Sequence, residues 1–153
     1  MFKLSRKTML ALEAVIDIAF NARPEPVQAK EITARQGVPQ RYLEQVMQQL
    51  VRAGVLKGVR GPRGGYRLAK ERRRISVGDV VRVAESVEDQ TDGNGDDGSA
   101  RSELGIRIVT PLVKTLQDEV MAKLDSISIE ELCQRARAEG VDGGAGVHAD
   151  FTI

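Results

Sequence analysis

The sequence predicts a mainly α-helical fold: a winged helix-turn-helix domain with a small β-hairpin wing, followed by a long C-terminal dimerisation helix. Three observations predict it. Two short amphipathic helices are joined by Gly37-Val38-Pro39, the connection of a helix-turn-helix. Two short apolar runs then flank the glycine-rich segment Gly61-Pro62-Arg63-Gly64-Gly65, which reads as a hairpin. Finally, Leu112, Val113, Leu116, Val120 and Leu124 recur at helical spacing beyond residue 110 and form an apolar seam.

The first helix is expected over residues 5–21, with Ser5 as N-cap and Met9, Leu12, Ile16, Ala19 and Phe20 as its apolar stripe. Arg23-Pro24-Glu25-Pro26 breaks it. The second spans 29–36 and closes at Gly37, a residue suited to the left-handed conformation. The third begins at Pro39, a favoured first helical position, and stops at Gly54. Leu43, Val46, Met47 and Leu50 form its inner face, and Gln40, Arg41, Glu44, Gln45, Gln48 and Arg52 the opposite one. Residues 56–60 and 66–68 are the wing strands, and a fourth helix starts at Ser76 with Asp79 completing a capping box.

Four regions follow from this reading: a DNA-binding domain over 1–87, a flexible acidic linker over 88–109, a dimerisation helix and short last helix over 110–139, and a disordered tail over 140–153. Thr110-Pro111 reads as an N-cap followed by a first-turn proline, and Ser128-Ile129-Glu130-Glu131 as the cap of the last helix.

Charge points to a polyanion partner. Residues 1–85 carry 17 Lys and Arg against 8 Asp and Glu, whereas residues 86–153 carry 6 against 14, although the whole chain nets only +1. Aromatics are 3% with no Trp, which disfavours a single-strand binder built on base stacking. No apolar run approaches the roughly 20 residues of a membrane span, and the single cysteine, Cys133, permits no intrachain disulfide. A reducing, cytoplasmic setting is expected.

In a helix-turn-helix the second helix enters the major groove with its N-terminal residues toward base edges. Gln40, Arg41, Tyr42, Glu44 and Gln45 occupy that position. Gln pairs with adenine, Arg with guanine, and Glu accepts from cytosine N4. Arg60 and Arg63 lie at the hairpin tip, with Arg67 and Lys57 nearby. Arginines on such a tip suit a narrow minor groove or backbone phosphate.

The segments Leu4-Ser5-Arg6-Lys7, Tyr42-Leu43-Glu44-Gln45, Val59 to Leu68 and Ile75-Ser76-Val77-Gly78-Asp79-Val80 together resemble the Rrf-two family of bacterial transcription factors, which includes the IscR, NsrR and CymR types. The resemblance runs from Met1 to about Leu132 and is weakest between residues 88 and 109. It implies a homodimer that reads a near-palindromic operator, usually as a repressor, with Tyr42, Glu44 and Gln45 in the recognition helix. It also implies Arg60 at the start of the wing and Gln28 beside a phosphate.

Many members of that family bind an iron–sulfur cluster through three closely spaced cysteines ahead of the long helix. Residues 90–101 contain none here, so no cofactor is expected. Cys133 reads as a small buried hydrophobe, and His148 lies in the tail. Asp92, Asn94, Asp96 and Glu103 fall at calcium-loop offsets, but the sixth place is Asp97 rather than glycine. No Walker loop, paired-histidine metal motif or nucleophile elbow is present, so no enzymatic activity is expected. The alternative is a protein-interaction module whose long helix binds a partner enzyme or sensor protein. The regulator reading itself leaves room for a partner protein or small-molecule effector. The homodimer is expected to depend on Leu116 and Val120.

Overall fold

The computed structural model describes residues 4–91 and 101–141, with side chains over 4–86 and 101–141. Helix α1 spans Arg6–Phe20, α2 Ala29–Gln36 and α3 Gln40–Arg52; strands β1 (Leu56–Val59) and β2 (Gly65–Leu68) form the wing. A 3-10 turn at Arg72–Arg74 leads into α4 (Val77–Thr91), followed by α5 (Thr110–Asp125) and α6 (Ile129–Ala138). The arrangement is the expected winged helix-turn-helix with a long C-terminal helix.

Local chemistry explains most boundaries. Ser5 accepts the Thr8 N–H at 3.1 Å and starts α1. Gly37 ends α2 at φ 66°, in the left-handed region. Pro39 is the N-cap of α3 rather than its first residue. Ser76 and Asp79 exchange hydrogen bonds at 3.0 Å each, a full capping box for α4.

The buried stripe of α1 is not the expected one. Leu10, Ala11, Ala14, Val15, Ile18 and Ala19 are buried, while Met9 is 49% exposed and Leu12, Ile16 and Phe20 are half-buried. The helix is apolar on nearly two faces, so residue spacing alone offers two stripes. The small residues Ala11 and Ala14 let the neighbouring elements approach, and that face goes inward.

The wing is a two-stranded antiparallel ladder in the register Leu56↔Leu68 to Val59↔Gly65. Val27 adds a one-residue third strand, exchanging backbone hydrogen bonds with Tyr66 at 2.8 and 3.0 Å. This contact requires Gly65: a Cβ there would lie 2.3 Å from the Val27 carbonyl oxygen.

Two further departures concern the second half. The expected linker over 88–109 is helical at both ends, because α4 continues to Thr91 and helix resumes at residue 103. The residues at calcium-loop offsets fall mainly on 92–100, outside the described residues; Glu103 pairs with Arg107 at 2.8 Å. His148 and the tail beyond Val141 also lie outside them. Thr110 is not an N-cap. The chain passes into α5 through a π-helical turn, Gly105–Val109, in which the Thr110 N–H bonds to the Gly105 carbonyl. Pro111 lacks an N–H and its ring crowds the carbonyl four residues back. The widened turn absorbs that conflict inside a continuous helix.

Nor do residues 110–139 stand apart from the first domain. Ile129 and Cys133 of α6 join the same core as Leu10, Leu43 and Leu50. Backbone bonds from Val77 N–H to Ile127 and from Ile129 N–H to Ile75, both 2.8 Å, tie the start of α6 to the segment before α4. Cys133 is buried on the inner face of α6, as its spacing suggests.

Candidate nucleic-acid interface

The third helix is oriented by what it buries. Leu43, Val46, Met47 and Leu50 are 0–2% exposed, and each contributes about 1.5–3 kcal/mol by burial. At about 100° per residue the ridge directly opposite consists of Arg41, Gln45, Gln48 and Arg52, all exposed. Gln48 and Arg52 extend the ridge by a full turn beyond the N-terminal residues expected to read bases. Their signal was the i, i+4, i+7, i+11 spacing from Arg41.

Tyr42 and Glu44 flank that ridge on opposite sides. Tyr42 is half-buried against the core and, with Arg6, Met9, Val38 and Pro39, lines a groove at the start of α1. Glu44 turns toward the wing. Gln40 donates its amide N–H to the Glu44 carboxylate at 2.9 Å. Burial pushes the Tyr66 hydroxyl above its ordinary pKa, and the nearby Glu44 charge adds to the shift. The Glu44 charge, held by Gln40, thus acts on Tyr66 of the wing.

At the wing tip, Gly61 adopts φ 115° and its carbonyl accepts the Gly64 N–H at 2.9 Å. A Cβ on Gly64 would lie 2.2 Å from the Val59 carbonyl oxygen, so the tip closes only with glycine. Arg60 and Arg63 project from it, both exposed and without an ion pair among the described residues. Arg67 differs: its guanidinium donates to the Pro24 carbonyl and braces the wing against the α1–α2 turn.

Gln28 lies where wing and helix-turn-helix join. It is half-buried, is the N-cap of α2, and donates its backbone N–H to Glu31 at 2.8 Å. Arg23 also binds the Glu31 carboxylate at 2.7 Å. Burial works against ionising Glu31, but the bonds from Arg23 and Gln28, with the charges of Arg23 and Arg35, hold it below the ordinary carboxylate value.

The α3 surface is thus an exposed ridge of amide and guanidinium groups, the wing ends in a glycine-closed arginine tip, and Gln28 at the capped start of α2 follows Val27, which pairs with the wing. The Rrf2 family, described as iron-dependent transcriptional regulators, matches residues 4–135. The chain belongs to this family.

Among Rrf2 relatives it is 37% identical over 131 residues to the HTH-type transcriptional regulator IscR of Aliivibrio salmonicida, covering 85% of this chain and 76% of that one. It is 32% identical to an Escherichia coli IscR over 147 residues, covering 95% and 89%. Among solved structures, IscR of T. potens superposes with a TM-score of 0.71 at 31% identity, covering 94% of this chain and 95% of that one. CymR, the global cysteine regulator of B. subtilis, superposes at 0.67 with 30% identity, covering 88% and 98%. The protein is a DNA-binding transcriptional regulator of this family. Among the described residues no helix is long and apolar enough to cross a membrane.

Proposed function

We propose that this regulator acts in the cytoplasm as a homodimeric repressor of a near-palindromic operator, without enzymatic activity and without an iron–sulfur cluster. The carrying observation is the uncovered apolar face of the long helix. Leu112, Val113 and Leu116 are 55%, 45% and 52% exposed, and Leu104 and Ile108 ahead of them are 73% and 61% exposed. Such a face buries well against its own copy, and a two-fold pairing presents two recognition helices to a palindrome. Val120 and Leu124 are half-buried, toward the end of α5 that meets α4, so their part in pairing is smaller than that of Leu112 and Leu116.

The donor set does not fit a cluster. Iron–sulfur clusters are held by sets of thiolates, and the chain has one cysteine. Cys133 is 0% exposed inside the α6 core, where burial pushes its thiol up against the pull of Arg72. Among the described residues no three His, Cys, Asp or Glu side chains converge on a metal position.

Selection of bound sequences from random duplex DNA by the full chain tests the reading, with sedimentation of the free and bound protein. A two-fold symmetric consensus bound by two chains is expected, with lower reporter output when that sequence lies in a promoter. A monomer on an asymmetric site defeats the dimer. Stoichiometric iron and sulfide in protein purified without oxygen defeats the cluster-free reading. Absence of duplex binding leaves the partner-protein alternative for the long helix.

A further inference from the structure

At the end of α1 remote from Arg6 and Met9, a cleft of about 720 Å³ opens between the base of the wing, the 3-10 turn and α6. Its volume suits a small ligand. Phe20 and Leu68 give it apolar lining, while Lys70 and Arg73 of the segment after β2 and Arg137 of α6 supply cationic walls from two separate stretches of chain. All three cations are exposed, and none has an ion pair among the described residues. A fourth, Arg72, is engaged by Glu130 of α6. Glu71 is the other carboxylate on the wall.

The balance of unengaged charge is therefore positive, three cations against one carboxylate. Gathering like charges around a concavity is unfavourable, increasingly so where apolar lining lowers the local dielectric. A bound anion relieves that repulsion. The Arg72–Glu130 pair holds the 3-10 turn to α6 and fixes the spacing of the walls. The site is also separate from the base-reading ridge. Met9 lies beside Pro39 and Tyr42, Phe20 lies in the cleft, and about 16 Å of helix separates them.

We propose that this cleft binds a small organic polyanion with a short apolar body, a phosphate ester or a di- or tricarboxylate. It is the effector site of the regulator proposed above and rests on that reading for its consequence, but its binding is measurable without DNA. A ligand there would bridge the wing base and α6, the helix that follows the exposed α5 face.

Amide NMR of the full chain, titrated separately with pyrophosphate and with citrate at ionic strength fixed by chloride, tests the site. Saturable shifts confined to residues 19–22, 68–74 and 130–137 are expected. The tighter arm distinguishes the phosphate from the carboxylate source. Arg73→Ala with Arg137→Ala should weaken that binding at least tenfold while leaving the remaining amide spectrum and duplex affinity unchanged. No saturation with either anion, or equal titration of the variant, overturns the proposal. It is also overturned if the variant loses about two units of duplex salt slope and DNA competes the anion away, since the cleft is then a backbone track. A wild-type chain that takes the anion but no duplex refutes the regulator reading and leaves the site standing.

Discussion

A Cβ placed on Gly78, at the start of α4, would lie 1.9 Å from the carboxylate oxygen of Asp125, at the end of α5. Arg82 pairs with that carboxylate at 2.8 Å and holds it below the ordinary carboxylate range, and the Asp125 backbone nitrogen lies 3.1 Å from the same Cβ. Gly78 is what lets α5 return against the winged-helix domain. Gly78→Ala should destabilise the protein by about 1–3 kcal/mol, read as a lower thermal midpoint. Adding Asp125→Ala should recover part of the loss. Strictly additive losses would show that the close approach is not the cause.

The wing tip carries a prediction about salt. Arg60→Ala and Arg63→Ala should each weaken duplex binding and lower the salt slope by about one. Both side chains are exposed at a tip whose shape depends on Gly61 and Gly64, so the fold is retained. Unchanged slopes in both variants would remove the tip from the interface.

Glu44 brings a negative charge toward a polyanion, and its partner Gln40 holds it at 2.9 Å. The role proposed for it is selectivity, by accepting from cytosine or repelling other sites. Glu44→Ala should broaden the set of sequences recovered by selection, with total affinity held or raised. A preference as narrow as that of the parent protein would count against this role.

The proposed homodimer rests on the uncovered helix face. Leu112→Asp with Leu116→Asp should give a monomer of normal thermal stability that binds a palindromic duplex at least tenfold more weakly, because both side chains are about half exposed in the single chain. Sedimentation of this variant as a dimer would place the interface elsewhere.

The Arg23–Glu31 contact predicts an acid-side loss of stability. Glu31 is depressed below its ordinary value of 4.5, so its contribution is present above that value and disappears as pH falls through the depressed one. The side chains are 34% and 29% exposed, which limits the contribution to about 0.2–1 kcal/mol. Thermal midpoints from pH 6 to pH 3 should fall less steeply for Glu31→Gln than for the parent chain. Parallel curves would show that Glu31 contributes no proton linkage.

The exposed ridge of α3 was legible because burial of Leu43, Val46, Met47 and Leu50 fixes the rotation of the helix, and the exposed side chains follow by periodicity alone. The hairpin was legible because its glycines are needed for positive φ and for close approach. Other features were not local. Val27 is a strand only because Tyr66 pairs with it, and one residue has no alternation to read. An amphipathic α6 announces an inner face but not which surface it covers, so its return to the α1 core was invisible. The α1 stripe was ambiguous because apolar residues lie on both candidate faces. Tyr42 lies on α3, the second helix of the pair, as expected, yet its ring packs toward the core, which its position in a motif does not reveal.

The π-helical turn ahead of Pro111 also sets the phase of the long helix. Leu104, Ile108, Leu112 and Leu116 recur every four residues, and in an unbroken α-helix such a row drifts steadily around the axis. A turn closed by bonds to the fifth residue rotates less per residue than an α-turn, and it takes back part of that drift midway along the row. The four side chains are brought nearer to a straight ridge than an α-helix alone would allow. A proline that would ordinarily interrupt a helix here acts as a vernier, keeping the segment nearest the acidic stretch and the segment nearest the winged helix aligned along one edge.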